Sequence, residues 1–137
     1  MDLKNLQPTL KTVQRVKVGN RIEAVEFVLR FLAMDEVYDL VSVNGRQSRM
    51  SEVIREGLVR AIVGWDLTED GKPLACTEEQ KRRVLPFLCG LMVEGGVQGE
   101  NGMKGLPDGE NEAPTVQKTL AWTLVEMAGD PENFLKN

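Results

Sequence analysis

Two runs of extended-chain pattern, residues 10–18 and 22–32, are joined by Gly19-Asn20, and this junction constrains the chain more than any other stretch. A two-residue Gly/Asn connection predicts a β-hairpin, because turns with positive φ match the twist of the strands they join. In the second run Val25, Phe27, Leu29 and Phe31 share one face, and Glu26, Val28, Arg30 and Leu32 share the other. The first run alternates less cleanly. Val13 is out of step with Val16 and Val18, which predicts a bulge or a later strand start. A lone hairpin is marginal in water, so the Phe27/Leu29/Phe31 face must pack on helices or pair with another copy. Its free edge offers a route to oligomers. Residues 1–9, with Pro8, read as a loose lead-in.

Helices follow. Asp35 is placed to cap a short one running to about Val43, with Val37, Leu40 and Val41 inward and Asn44-Gly45 as its stop. Ser51 caps the next, over residues 51–63, where Ile54, Leu58, Ala61, Ile62 and Trp65 fall on one face. Gly64 supplies its left-handed end. Asp70-Gly71 then makes a turn and Pro73 forbids helix. Thr77 and Gln80 form a capping box for a helix from Glu78, with two acids in its first turn. Pro86 predicts a division into two short helices, 78–85 and 87–94.

Residues 95–113 carry six glycines, one proline and four acids, a composition that predicts a flexible loop. Beyond it, residues 115–128 read as a helix with Val116, Leu120, Thr123, Leu124 and Met127 on one face and Trp122 flanking. Gly129 closes it, and Asp130-Pro131 starts a last turn. The fold class is therefore α+β: an N-terminal hairpin and helices over residues 1–94, a Gly-rich linker over 95–114, and a C-terminal helix and tail over 115–137.

Composition narrows the function. The chain has 137 residues, enough for one domain with a sizeable core. It lacks histidine, the commonest general base and metal ligand, and two cysteines do not make a zinc site. Cys89 reads as core. Cys76 precedes a helix start whose dipole lowers a thiol pKa, although a small loop-filling residue is the simpler reading. The net charge is −4, divided as +2 over residues 1–63 and −6 over 64–137. That balance argues against nucleic-acid binding, which needs a basic stripe. With no long apolar run and no apolar leader at the N-terminus, the expected location is the cytoplasm, with no membrane contact.

Residues that invite a chemical reading have plainer ones. Asp66, Thr68, Asp70 and Gly71 imitate the first half of a calcium-binding loop, but the twelfth position is Thr77 where a bidentate Glu belongs, so a helix–turn–helix connector is preferred. Trp65 reads as a core lid whose N–H finds a carbonyl. Lys81-Arg82-Arg83 reads as a solvated helix face paired with nearby acids. Ser48, Ser51 and Thr77 have no base to activate them, and no phosphate loop is present. No catalytic residue or cofactor is expected. Trp122, Leu120, Leu124 and Met127 form either a docking face for a partner protein or a surface packed on the chain's own domain.

One segment carries a resemblance. Gly64-Trp65-Asp66, the turn Asp70-Gly71-Lys72-Pro73-Leu74, the capped start Thr77-Glu78 and the pair Val84-Leu85, preceded by the strand of residues 25–32 and Asp35-Glu36, resemble the tail assembly chaperones of long-tailed bacteriophages. The resemblance covers about residues 10–90 and does not extend over the Gly-rich segment or the Trp122 helix. It implies a non-enzymatic protein that holds the tape-measure protein soluble while tail-tube subunits polymerise around it. Partners would be the tape-measure protein, the tube protein and further copies of the chain, and no cofactor is needed. A different class, a minor tail subunit retained in the finished particle or another small prophage interaction module, is the alternative.

Overall fold

The computed structural model describes residues 3–41, 50–94 and 118–135. Two long strands, β1 (Thr9–Val18) and β2 (Arg21–Arg30), form the expected hairpin in continuous register from Thr9↔Arg30 to Val18↔Arg21. Gly19 has φ +64° at the first central position of the turn, where the primed two-residue turns need it. Helices α1 (Met34–Val41) and α2 (Met50–Ala61) follow, then β3 (Ile62–Trp65) and a small hairpin of β4 (Thr68–Glu69) and β5 (Lys72–Pro73). Helix α3 (Glu78–Leu88), strand β6 (Met92–Val93) and helix α4 (Leu120–Gly129) complete the main elements. Short 3-10 turns lie at Leu3–Asn5 and Pro131–Phe134. The antiparallel sheet has the order β3-β2-β1-β6, and the class is α+β.

The core is one layer of sheet under helices. Val16, Phe27 and Leu29 from the sheet meet Leu58 of α2, Leu85 of α3 and Leu124 of α4, all buried. Each such side chain contributes roughly 1.5–3 kcal/mol by leaving water.

The uneven alternation of β1 has a different cause from a bulge or a late start. The strand is regular, Val13 faces outward, and the polar residues Thr12 and Gln14 occupy inward positions. They satisfy one another: Gln14 Nε2 donates to Thr12 Oγ1 at 2.7 Å, and both donate to the Met127 sulfur of α4 at 3.5 and 3.6 Å. Nor does the β2 face run on to Phe31. The strand ends at Arg30, Leu32 turns inward with its N–H on the Ala128 carbonyl at 2.9 Å, and Phe31 is 37% exposed against 3% for Leu32. The Phe31 ring instead meets buried Phe134 edge-on, with centroids 5.7 Å apart.

Four boundaries also move. The lead-in is tied down: Leu6 bridges Leu135, and Gln7 N–H donates to the Phe134 carbonyl at 2.7 Å. Helix α1 starts at Met34, so Asp35 lies inside it. Glu36 does the capping by accepting Ala33 N–H at 3.2 Å. The helix expected over 51–63 ends at Ala61, and the chain enters β3 without a loop. Pro86 lies within a single helix, α3, which ends at Leu88, and residues 92–93 are strand. The missing N–H of an interior proline costs about 3 kcal/mol. Burial of Leu85 and Leu88 on either side of it offsets that loss.

The C-terminal helix begins at Leu120 rather than 115, with Thr119 as its cap. Thr119 also bridges Met92, so the helix is anchored to β6 at its start. Asp130 caps the last turn as expected. Val43, the Asn44-Gly45 stop, the 95–114 linker and Val116 lie outside the described residues.

Candidate functional site

The residues between 64 and 85 that carry the resemblance span the connection from β3 to α3. Gly64 does not end a helix. It sits in β3 opposite Val28, and a Cβ there would lie 3.3 Å from the Val28 side chain. Glycine suits this close approach of two strands, where a side chain would press on Val28, next to a register shift between Val28 and Leu29 that leaves Val63 exposed. Trp65 pairs with Phe27, packs on the core, and donates its indole N–H to the Leu74 carbonyl at 2.8 Å. It is the lid that the sequence predicts.

Asp66 ends the ladder. Its N–H donates to the Glu26 carbonyl at 3.2 Å, and its carboxylate accepts Glu26 N–H at 2.9 Å, where a further strand residue would have offered a carbonyl. Asp70 and Gly71, at φ +54° and +78°, form the turn of the β4–β5 hairpin, a conformation in which both central residues need positive φ. The connector is thus a strand and a hairpin, not a bare helix–turn–helix link. The calcium-loop imitation is broken at Asp66, whose carboxylate is turned to the Glu26 backbone. Among the described residues no group of His, Cys, Asp and Glu is arranged to hold a metal ion.

Thr77 Oγ1 accepts Gln80 N–H at 3.2 Å, the first half of the capping box. The second half is absent because Gln80 Oε1 accepts from Arg83 Nε at 2.7 Å. Arg82 and Arg83 are the solvated, paired cations expected: Arg82 holds Glu56 with two hydrogen bonds and Glu78 with a third, and Arg83 meets Glu69. Lys81 differs. Its ammonium donates to the Val59 and Ile62 carbonyls, each at 2.8 Å, and so satisfies backbone acceptors at the abrupt end of α2.

Helix α4 is docked on the chain's own core. Leu120 and Leu124 are 1% exposed, Met127 is half-buried beneath β1, and Trp122 alone of the four candidate partner residues is open to solvent, at 42%. A docking role for Leu120 and Leu124 therefore requires the helix to leave the core. Beside α4 and the final 3-10 turn lies an open cleft of about 650 Å³, lined by Lys118, Thr123, Glu126, Met127, Asp130 and Asn133 among others.

Two ionic features hold the helices. Glu36 accepts two hydrogen bonds from Arg30, at 2.7 and 3.0 Å, and this pairing lowers its carboxyl to about 2, with help from Ala33 N–H and Arg60. Arg82 holds the Glu56 carboxyl below its ordinary range in the same way. The thiols run the other way. Burial pushes Cys76 up despite nearby Lys81, so the helix start does not activate it, and burial pushes Cys89 up as well. Among the described residues no helix is long and apolar enough to cross a membrane.

Sequence reasoning missed β3, β6, Phe134 and the role of Lys81. The one available signal was the pair Val63-Gly64 before Trp65, where a β-branched residue and a glycine interrupt good helix formers. Comparison with family models, with curated proteins and with solved structures gives no match to this chain.

Proposed function

We propose that the chain is a tail assembly chaperone of a long-tailed phage or prophage, a non-enzymatic protein that binds the tape-measure protein in the bacterial cytoplasm. The observation that supports this reading is the resemblance over residues 10–90, because its residues act as one mechanical unit here. Gly64 lets two strands close, Trp65 and Asp66 tie the connector to Leu74 and Glu26, Asp70-Gly71 turns it, and Thr77 restarts a helix. Exposed Phe87 on α3 and Trp122 on α4 are the apolar contacts assigned to the client. Many copies along one extended client hold it by multivalency, each contact being weak alone. The tube protein and further copies of the chain are the other partners of this reading. It needs no cofactor, nucleic acid or membrane.

The second reading, a minor tail subunit kept in the particle, is favoured by the end of the hairpin, where residues 19–24 are exposed and can seat in a ring. Co-expression with the tape-measure protein, followed by pull-down of the soluble fraction, separates the two. A chaperone co-purifies with its client, raises its solubility and is missing from mature particles. A subunit is found in the particles and leaves the client's solubility unchanged.

A further inference from the structure

Among the described residues, the sheet has an opening in one edge. The hairpin register closes at Val18↔Arg21, so hydrogen-bonded pairs recur at every second residue, at Val16, Gln14, Thr12 and Leu10. The backbone groups of the intervening residues point to the opposite edge of β1. Two ties bracket that edge. At one end the Arg15 carbonyl accepts Glu94 N–H at 2.7 Å, in line with β6. At the other, Gln7 N–H donates to Phe134. Between them, no strand among the described residues pairs with Thr9, Lys11 or Val13. The cleft beside α4 adjoins this gap through Met127, whose sulfur takes the Thr12 and Gln14 hydrogen bonds.

We propose that this gap receives an extended acidic polypeptide segment, added as a strand between Gln7 and Arg15 in the line of β6. Main-chain bonds to Lys11 and Val13 give it affinity, as in other strand-addition complexes. Charge selects the occupant. Lys11 is 75% exposed and held only loosely by Glu26 at 3.7 Å, and Arg15 stands on the same outer face. The residue that already uses this edge shows the preferred chemistry: Glu94 lies beside Arg15, giving both an N–H to its carbonyl and a carboxylate to its guanidinium. A segment with acids on alternate outward positions meets Lys11 in the same way, while its inward positions, apolar, face Met127. A second copy of β1 is the poorer occupant, because its own Lys11 and Arg15 would face these cations. The inference does not depend on the chaperone reading.

The test uses the full chain and two synthetic octapeptides, one alternating Glu and Val and the other Lys and Val, with amide hydrogen exchange followed by NMR. The Glu/Val peptide is expected to slow exchange at Lys11 and Val13 at least tenfold, and the Lys/Val peptide to leave it unchanged. Lys11→Glu is expected to reverse the preference. Val13→Pro removes one donor at a position that makes no bond to β2, so it is expected to abolish peptide binding without altering the circular dichroism. Three results overturn the proposal: unchanged exchange with the Glu/Val peptide, protection of Lys11 and Val13 in the peptide-free chain at low concentration, which assigns the edge to the chain itself, or protection that grows with protein concentration, which assigns it to a second copy.

Discussion

The Lys81 ammonium lies 2.8 Å from the Ile62 carbonyl oxygen and the same distance from that of Val59, so a side chain of α3 closes the end of α2. A helix that passes straight into a strand has no room for a glycine cap, and its last carbonyls need another donor. Lys81→Met keeps the aliphatic stem and removes the donor. The expected cost is ~1–2 kcal/mol, seen as a lower midpoint in urea with unchanged slope. Arg82→Met and Arg83→Met, at exposed pairs, are expected to lower that midpoint less than Lys81→Met does.

Acid stability follows Glu36. Its carboxyl, at about 2 in the fold against an ordinary 4.5, is ionised more readily in the native state than in the unfolded chain. Its contribution is therefore complete above about pH 5, shrinks as pH falls from there, and is gone below about pH 2. Glu36→Gln removes it at all pH values. The difference between the two proteins in chemical denaturation is expected to be on the order of 1–2 kcal/mol at pH 7, after allowance for solvent screening of a partly exposed pair, and to close between pH 5 and 2.

Trp65→Phe keeps a ring against Phe27 and removes the N–H that binds Leu74. A carbonyl left without its donor costs about 1–2 kcal/mol, which thermal denaturation reads as a drop of several degrees. Fluorescence of the remaining Trp122, half exposed on α4, then reports unfolding of that helix alone.

Helix α4 provides the sharpest contrast. Leu124→Ala opens a cavity among Phe27, Leu58 and Leu85 and is expected to cost about 2–5 kcal/mol. Trp122→Ala, at the open side of the same helix, is expected to change stability by less than about 1 kcal/mol. Equal, small losses at both positions in urea denaturation would show that α4 spends its time away from the core.

The readable parts of this fold are those fixed by local rules. Gly19-Asn20, the buried alternation Val25, Phe27, Leu29, and the caps Thr77 and Asp130 each depend on a few neighbouring residues, and each stands where the sequence puts it. What escaped depends on distant partners. Ile62 and Trp65 fit the helical period of α2, and only the presence of β2 alongside turns them into strand. Thr12 and Gln14 disguise an inward face because their partner is a sulfur on the far helix. β6 is two residues long, too short for any periodicity. Phe134 is a single aromatic in a polar tail, and its burial follows from Phe31 and the bridge between Leu6 and Leu135. Among the candidate partner residues, the 3.6-residue period placed Leu120 and Leu124 on one face but said nothing about what covers it.

The hydrogen bonds from Thr12 and Gln14 to Met127 span 115 and 113 positions of the chain. On a ribosome, the hairpin emerges long before the helix that satisfies its polar inner face. Its apolar residues Phe27 and Leu29 meet Leu58 and Leu85 first, and gain the cover of Leu124 only when α4 has left the exit tunnel. Contacts of such high order slow folding and leave the nascent chain open to aggregation. A protein built this way completes its core only once α4 has been made, so any truncation before α4 yields a sticky fragment rather than a smaller domain.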